Sequence, residues 1–196
     1  TTTDAYNVAV GYGTGESVTT GLYNTLIGGL AGDALTDADH NVAIGFNALS
    51  SDTLGSASIA IGKGALNGQN FTTATTAYNV AVGHSAGTSV STGTKNTLIG
   101  GLAGDALEDA DYNVALGESA LSTDTLGSRS TALGYFALKT QNLTSATDTY
   151  NTAVGFAAGQ LVTTGLLNTF VGGLSGDAFT VGGANTAVGY NSLSND

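Results

Sequence analysis

Two groups of aspartates are the residues of this chain whose spacing could do chemistry. The first lies beside the glycine-rich string GGLAGDAL, which begins at Gly28, and the second lies beside an identical string that begins at Gly100. Calcium takes six to eight oxygen ligands, and carboxylates next to tight glycine turns can supply them. Calcium is therefore the only cofactor that the sequence suggests, and the candidate ligands are Asp33, Asp37, Asp39, Asp105, Asp109 and Asp111.

A solvated acidic loop that keeps the protein soluble would have the same composition. Calcium-binding β-rolls carry their glycine-aspartate motif as a tandem nonapeptide, whereas the copies of this string are far apart along the chain. Its third copy, GGLSGDAF at 172–179, lacks most of the neighbouring acids. Calcium ligation and a solvated loop therefore remain as alternatives for this segment.

Groups suited to nucleophilic or acid–base catalysis are sparse. His40 occupies the repeat position that holds Tyr112 in a later repeat, and His84 occupies the position of Tyr12. We therefore expect both histidines to be exposed rings rather than catalytic groups. The chain has no cysteine, no Gly-x-Ser-x-Gly elbow and no phosphate-binding loop with its lysine. A glycosidase needs two carboxylates at a set separation, and the sequence singles out no such pair. We expect no enzyme activity, with a glycan-degrading fibre as the alternative.

The element that positions these residues is a repeated pentapeptide, Asn-Val-Ala-Val-Gly, which begins at Asn7. Ten variants follow, and their closing glycines recur with a 17,17,17,21-residue period, so that four coils make one superunit. A fixed period of this kind is typical of a solenoid. The sequence therefore predicts one all-β, parallel β-roll or solenoid of about 11 coils over residues 1–196, with superunits 6–77, 78–149 and an incomplete 150–196. The repeat residues are Asn7, Gly11, Asn24, Gly28, Asn41, Gly45, Gly62, Asn79, Gly83, Asn96, Gly100, Asn113, Gly117, Gly134, Asn151, Gly155, Asn168, Gly172, Asn185 and Gly189.

Alternation within the pentapeptide predicts a short strand. We expect Val8 and Val10 to fill the coil interior, with Asn7, Ala9 and Gly11 on the opposite face. Each asparagine either joins a hydrogen-bonded ladder between stacked coils or caps its own backbone.

The coil is completed by further short elements. A second short strand is predicted at pairs such as Ala48-Leu49, three residues past the glycine. The extra residues of the 21-residue coils, at 70–76 and 142–148, are expected to bulge from the side. Both segments begin with an Asn-x-Thr sequence, which glycosylation enzymes accept and which also occurs by chance.

The composition of the chain argues against two classes of binding partner, nucleic acids and membranes. The formal charge is −11 with only four lysines and arginines among 196 residues, too few cations to bind nucleic acid or an anionic membrane surface. No apolar run is long enough to span a bilayer. We therefore expect neither nucleic-acid binding nor membrane insertion.

A 17-residue coil turns too few side chains inward to offset the entropy of ordering it. The small apolar face that holds Ala9, Ala43 and Ala60 is expected to be buried against other chains, so the sequence predicts an oligomer. Aromatic rings near the glycine turns are expected to form a column that packs between chains, covers the edge of the roll or contacts sugars; they are Tyr12, Phe46, His84, Tyr135, Phe136, Phe156 and Tyr190.

The cores NVAVG, NTLIG, NVAIG, SIAIG and NTAVG resemble the head repeats of trimeric autotransporter adhesins of the YadA type. The string NTAVGYNSL at 185–193 is similar to repeats of long phage tail fibres. The resemblance covers essentially the whole chain and implies a left-handed parallel β-roll, an intertwined homotrimer, and a place on a virion or cell surface. Both coil lengths of this chain exceed those of the adhesin heads, which favours the phage fibre.

Three functions follow as expectations. The first is a shaft or receptor-contacting segment of a trimeric phage tail fibre, with a cell-surface glycan or protein as its partner. The second is a bacterial adhesin head that binds a host or matrix surface. The third is a calcium-binding or ice-binding solenoid; ice binding needs a flat array of threonines, and we expect the threonines to cluster in irregular loops such as the one at Thr19-Thr20.

Overall fold

Eleven three-residue strands, one from each pentapeptide, form the main sheet of the protein. The computed structural model describes residues 4–194, and within that range it contains strands and turns but no helix. Each strand pairs in parallel with the strand of the next coil, in constant register. The predicted all-β parallel solenoid of about eleven coils is confirmed. The strands of the main sheet are Val8–Val10 (β1), Thr25–Ile27 (β2), Val42–Ile44 (β3), Ile59–Ile61 (β5), Val80–Val82 (β7), Thr97–Ile99 (β8), Val114–Leu116 (β9), Thr131–Leu133 (β11), Thr152–Val154 (β13), Thr169–Val171 (β14) and Thr186–Val188 (β15).

Two small sheets mark the 21-residue coils. Gly55–Ser56 (β4) pairs with Thr75–Thr76 (β6), and Gly127–Ser128 (β10) pairs with Thr147–Asp148 (β12). The predicted bulges are only partly correct, because Phe71 and Leu143 of these segments are buried, and the longest exposed stretches are residues 72–74 and 144–146.

The predicted second strand at Ala48-Leu49 is wrong. This segment is a turn, because Asn47 and Leu49 adopt φ angles of 56° and 52°. Left-handed residues on both sides of Ala48 cannot lie in an extended strand. The buried leucine nevertheless contributes to the core.

The predicted orientation of the pentapeptide strand is also wrong. Ala60 has no exposed surface, whereas Ile59 beside it in the same strand is 37% exposed; in β1, at the edge of the sheet, all three residues are exposed. The small residue therefore points into the coil and the β-branched residues point to solvent. The reason is the thinness of the coil: a Cβ built on Gly32 would lie 2.8 Å from the side chain of Leu26, which faces it across the same coil. An interior of that width holds alanine in most coils.

Larger residues occupy the centre of a strand where the turn that faces it carries a glycine. Leu26 replaces alanine at the centre of β2, and a Cβ built on Gly15 or Gly32 would lie 2.8 Å from its methyl groups. Leu98 and Phe170 take the same place in the second and third superunits. In the coils of β3 and β5 the arrangement is reversed, with a central alanine and a turn leucine such as Leu49. The core is therefore packed by large and small residues that alternate on a four-coil cycle.

Candidate functional site: an exposed sheet face and its two edges

A ladder of buried asparagines fixes the strands that build the exposed face. The side-chain carbonyl of Asn24 accepts a hydrogen bond from the backbone N–H of Asn41 in the next coil, at 2.9 Å. The Asn24 amide donates to the Ala38 carbonyl at the end of its own coil, at 2.7 Å. Both alternatives for the asparagines are thus realised together, since each residue joins two coils and also closes its own. The motif repeats for Asn7, Asn24, Asn41, Asn79, Asn96, Asn113, Asn151 and Asn168.

The ladder is modified in each 21-residue coil, where serine replaces the asparagine. Gln141 fills the space, donating to the carboxylate of Asp124 at 2.5 Å and to Ser130 at 2.8 Å, and accepting from Asn151 at 2.8 Å. The other carboxylate oxygen of Asp124 accepts from two backbone N–H groups, one of them from Leu143. Gln69 and Asp52 repeat this arrangement one superunit earlier. These buried polar groups are therefore paired with one another rather than aimed at a ligand.

The outer side of the main sheet is an exposed apolar face. Its second outward position is aliphatic in every coil, and Leu116 is 46% exposed. Its first outward position is β-branched in every coil and is valine, isoleucine or threonine. Contrary to the expectation from sequence, threonines therefore also line a flat face; they are Thr25, Thr97, Thr131, Thr152, Thr169 and Thr186. The aliphatic column is Val10, Ile27, Ile44, Ile61, Val82, Ile99, Leu116, Leu133, Val154, Val171 and Val188.

One edge of the face is formed by the residue that precedes each ladder position, and we call it the N-edge column. Tyr6 stacks on Tyr23 with ring centroids 5.6 Å apart, and Tyr23 packs on His40 at 5.0 Å. Sequence reasoning compared single positions in this column but missed the column itself, because it mixes aromatic, cationic and aliphatic residues. Its members are Tyr6, Tyr23, His40, Ala57, Tyr78, Lys95, Tyr112, Arg129, Tyr150, Leu167 and Ala184.

Cations are held between the tyrosines of the N-edge column. The Lys95 ammonium lies 4.7 Å from the centroid of the Tyr112 ring and donates to its hydroxyl at 2.8 Å, and this hydrogen bond raises the pKa of Lys95. The Arg129 guanidinium lies 5.2 Å from the same ring and pairs with Asp148. The hydrogen bond to Asp148 raises the pKa of Arg129. The edge thus combines aromatic surface with fixed positive charge.

The other edge is formed by the residue that follows each closing glycine, and we call it the G-edge column. Tyr12 is 87% exposed, and Tyr135 stacks on Phe156 with centroids 5.5 Å apart. This column contains the rings predicted from sequence except Phe136, which stacks on Tyr135 from the next position. Its members are Tyr12, Gly29, Phe46, Lys63, His84, Gly101, Glu118, Tyr135, Phe156, Gly173 and Tyr190.

The candidate calcium ligands do not converge. Asp39 accepts from the backbone N–H of Leu22 at 2.7 Å, and Asp111 accepts from the backbone and hydroxyl of Thr94. Asp37 and Asp109 each accept from a threonine hydroxyl of the preceding coil. Among residues 4–194, no group of three or more Asp, Glu, His or Cys side chains could hold a metal ion. These four aspartates instead join neighbouring coils.

Asp33 and Asp105, the remaining two candidates, share an unusual feature with Asp177. In each of them one carboxylate oxygen is buried and has no hydrogen-bond partner. Desolvation raises the pKa of Asp105 above its ordinary value of 3.8, although a backbone hydrogen bond acts in the opposite direction. The unpartnered carboxylate oxygen therefore lowers the stability locally, and this position recurs once per superunit.

Comparisons with known proteins returned no counterpart. No family model matches the chain, and neither the curated proteins nor the solved structures contain a match. Within residues 4–194 the structure also has no pocket and no helix long and apolar enough to cross a bilayer. The exposed face and its two edge columns are therefore the features from which a function must be argued.

Proposed function

We propose that the chain is a structural and adhesive fibre segment in which three copies pack along their exposed sheet faces. The observation that carries this proposal is the continuous apolar face, which bears an aliphatic side chain in every coil. A phage tail fibre, as shaft or receptor-contacting part, is the assembly that fits best, and it places the protein on a virion or an extracellular surface.

The size of the face supports self-association. Eleven strands spaced by about 4.8 Å give a length of about 50 Å, and the six-residue step from one edge column to the other gives a width of at most about 20 Å. The outline therefore covers up to about 1,000 Å², and the aliphatic column runs along its whole length. A stable interface buries about 800 Å² on each partner. The face is thus large enough for a stable contact between copies.

A bacterial adhesin head is the second candidate, and the side loops favour an adhesive role within either assembly. Residues 72–74 and 144–146 are exposed and project from the longer coils. They are separated by four coils, or about 19 Å along the rod. Two similar sites at a fixed spacing would suit a repetitive cell-surface glycan or protein.

The test is the mass of the purified chain by light scattering. We expect about three times the chain mass of 19.2 kDa; a compact monomer would contradict the proposal. Leu116→Asp on the exposed face should reduce the assembly while leaving the β signal in circular dichroism. Ala115→Asp, which places the same charge in the buried neighbouring position, should unfold the coil and serves as the control.

The adhesive role has its own measurement. Binding to cells should saturate with the full chain and be lost when loop 72–74 and loop 144–146 are both shortened to the length of a 17-residue coil. If binding is unchanged, the loops are not the adhesive element.

A further inference from the structure

The two edge columns have complementary sizes in five of the eleven coils, and the other six coils carry a bulky residue on both edges. Wherever the G-edge residue is glycine, the N-edge residue of the same coil is bulky. Wherever the N-edge residue is alanine, the G-edge residue is bulky, and no coil among the eleven pairs two small residues. The pairs are Tyr23 with Gly29, Lys95 with Gly101, Leu167 with Gly173, Ala57 with Lys63, and Ala184 with Tyr190.

The charges of the two columns are also complementary. Glu118 is the one acid of the G-edge column, and its coil lies between the coils of Lys95 and Arg129, the two permanent cations of the N-edge column. Along the rod, the coil of each cation lies one strand spacing, about 4.8 Å, from the coil of Glu118. Lys63 is level with Ala57. The small side chain of Ala57 leaves a gap in the N-edge column between the rings of His40 and Tyr78. A lysine ammonium in such a gap is attracted by the faces of the rings.

These complementary residues cannot meet within one chain. The strand β9 lies between residue 112 and residue 118, and its three residues alone span about 10 Å. The ring contacts of the described range agree, since Tyr6–Tyr23 lies within one column and Tyr135–Phe156 within the other. The matching therefore concerns contacts with another molecule.

The N-edge column keeps its side chains at a conformational cost. All eleven of its residues have positive φ angles, from 49° to 62°, and none is glycine. At its other left-handed positions the chain uses glycine, as at Gly32 and Gly64, as well as larger residues such as Leu30. A non-glycine residue in this conformation costs roughly 1–2 kcal/mol.

We propose that the N-edge column of one copy packs against the G-edge column of a neighbouring copy, with the two chains parallel and each coil level with its counterpart. Glu118 of one copy then lies between Lys95 and Arg129 of the next, and each glycine or alanine accepts a bulky side chain. This inference rests on the proposed self-association and specifies its direction and register. An edge-to-opposite-edge contact is heterologous and closes into a ring, and rotation about the rod axis keeps equal coils at equal height.

Cross-linking tests this arrangement, because the chain has no cysteine of its own. In the full chain, Tyr112→Cys combined with Glu118→Cys should give covalent two-chain and three-chain bands with a short bis-maleimide. Each single variant should remain a one-chain band. The combination Tyr112→Cys with Lys63→Cys, three coils out of register, is the matched control and should also stay uncross-linked.

The outcomes separate the two proposals. Cross-linking of the Tyr112→Cys single variant would show that like edges meet and would overturn the inference. An oligomer by light scattering in which the double variant does not cross-link would also overturn it while leaving the proposed function intact. A monomer would overturn both. Charge reversal gives a second measurement: Glu118→Lys should weaken the assembly, and adding Lys95→Glu and Arg129→Glu should restore it.

Discussion

The side-chain carbonyl of Asn96 accepts a hydrogen bond from the backbone N–H of Asn113 at 2.9 Å, so a single side chain supports the strand of the next coil. The Asn96 amide donates to the Ala110 carbonyl at 2.7 Å, at the end of its own coil. Both residues are fully buried. Coil stacking and coil closure therefore depend on the same group.

Asn96→Ala should lower the free energy of unfolding. The substitution leaves the Asn113 N–H and the Ala110 carbonyl without partners, and each buried orphan costs about 1–3 kcal/mol. Chemical denaturation at a fixed protein concentration measures the loss. Asn70→Ala is the control, because Asn70 is exposed and a surface change of this kind costs within about 0.5 kcal/mol. Equal losses in the two variants would contradict the role given to the ladder.

Gly32→Ala should destabilise the protein more than Gly64→Ala. Both glycines have left-handed φ angles, 57° and 68°, so both variants share a strain of roughly 1–2 kcal/mol. A Cβ on Gly32 would also lie 2.8 Å from Leu26 and Leu35, whereas the nearest atom to a Cβ on Gly64 is 3.6 Å away. Overpacking of this kind adds about 1–3 kcal/mol. Thermal melts of the pair isolate that difference, and identical melting temperatures would exclude it.

Asp105→Asn should change how stability depends on pH. Because desolvation raises the pKa of Asp105 in the folded protein, its contribution is fully present below the ordinary value of 3.8 and is lost as the pH rises through the folded value. The variant lacks this loss, so we expect it to melt higher than the native chain at pH 7 and no higher at pH 3. Asp109→Asn, at an exposed aspartate, is the control. A native chain that equals the Asp105 variant at both pH values would refute the expectation.

Gln141→Leu should be strongly destabilising although leucine is nearly the same size. The change leaves one carboxylate oxygen of Asp124 buried without its partner, which costs at least about 2–3 kcal/mol for a charged group. Gln160→Leu, at a half-buried position in the following coil, should have little effect. Unfolding midpoints of the two variants provide the comparison, and a mild effect of Gln141→Leu would mean that Asp124 finds other partners.

The sequence was sufficient to predict the coil period, the number of coils and the parallel strands, because these follow from the spacing of the glycines. It did not give the direction of the strand faces. Alternation shows that Val8 and Val10 share a face and that Ala9 lies opposite, but not which face is inside. The missing information is the width of the coil interior, where a Cβ on Gly32 would already lie 2.8 Å from the facing Leu26, too little room for two β-branched residues. The pairing of Leu26 with Gly32 was a signal in the sequence that could have shown this.

The candidate site was predicted less completely than the fold. The rings of the G-edge column were found because they directly follow the recurring glycines, whereas the N-edge column varies from Tyr112 to Arg129 and becomes visible only when the coils are stacked. The calcium ligands were grouped by their distance along the chain. In a solenoid, contacts run between coils, so Asp111 meets Thr94 rather than its acidic neighbours.

The four-coil cycle of core sizes limits how the gene of such a rod can change length. Leu26 fills the space above both Gly15 and Gly32, so deleting or duplicating one coil would set two large residues or two gaps against each other. Insertion or loss of four consecutive coils restores every contact, including the buried glutamine network. Homologous recombination between the repeats should therefore yield folded products only in steps of one superunit, each changing the rod by about 19 Å.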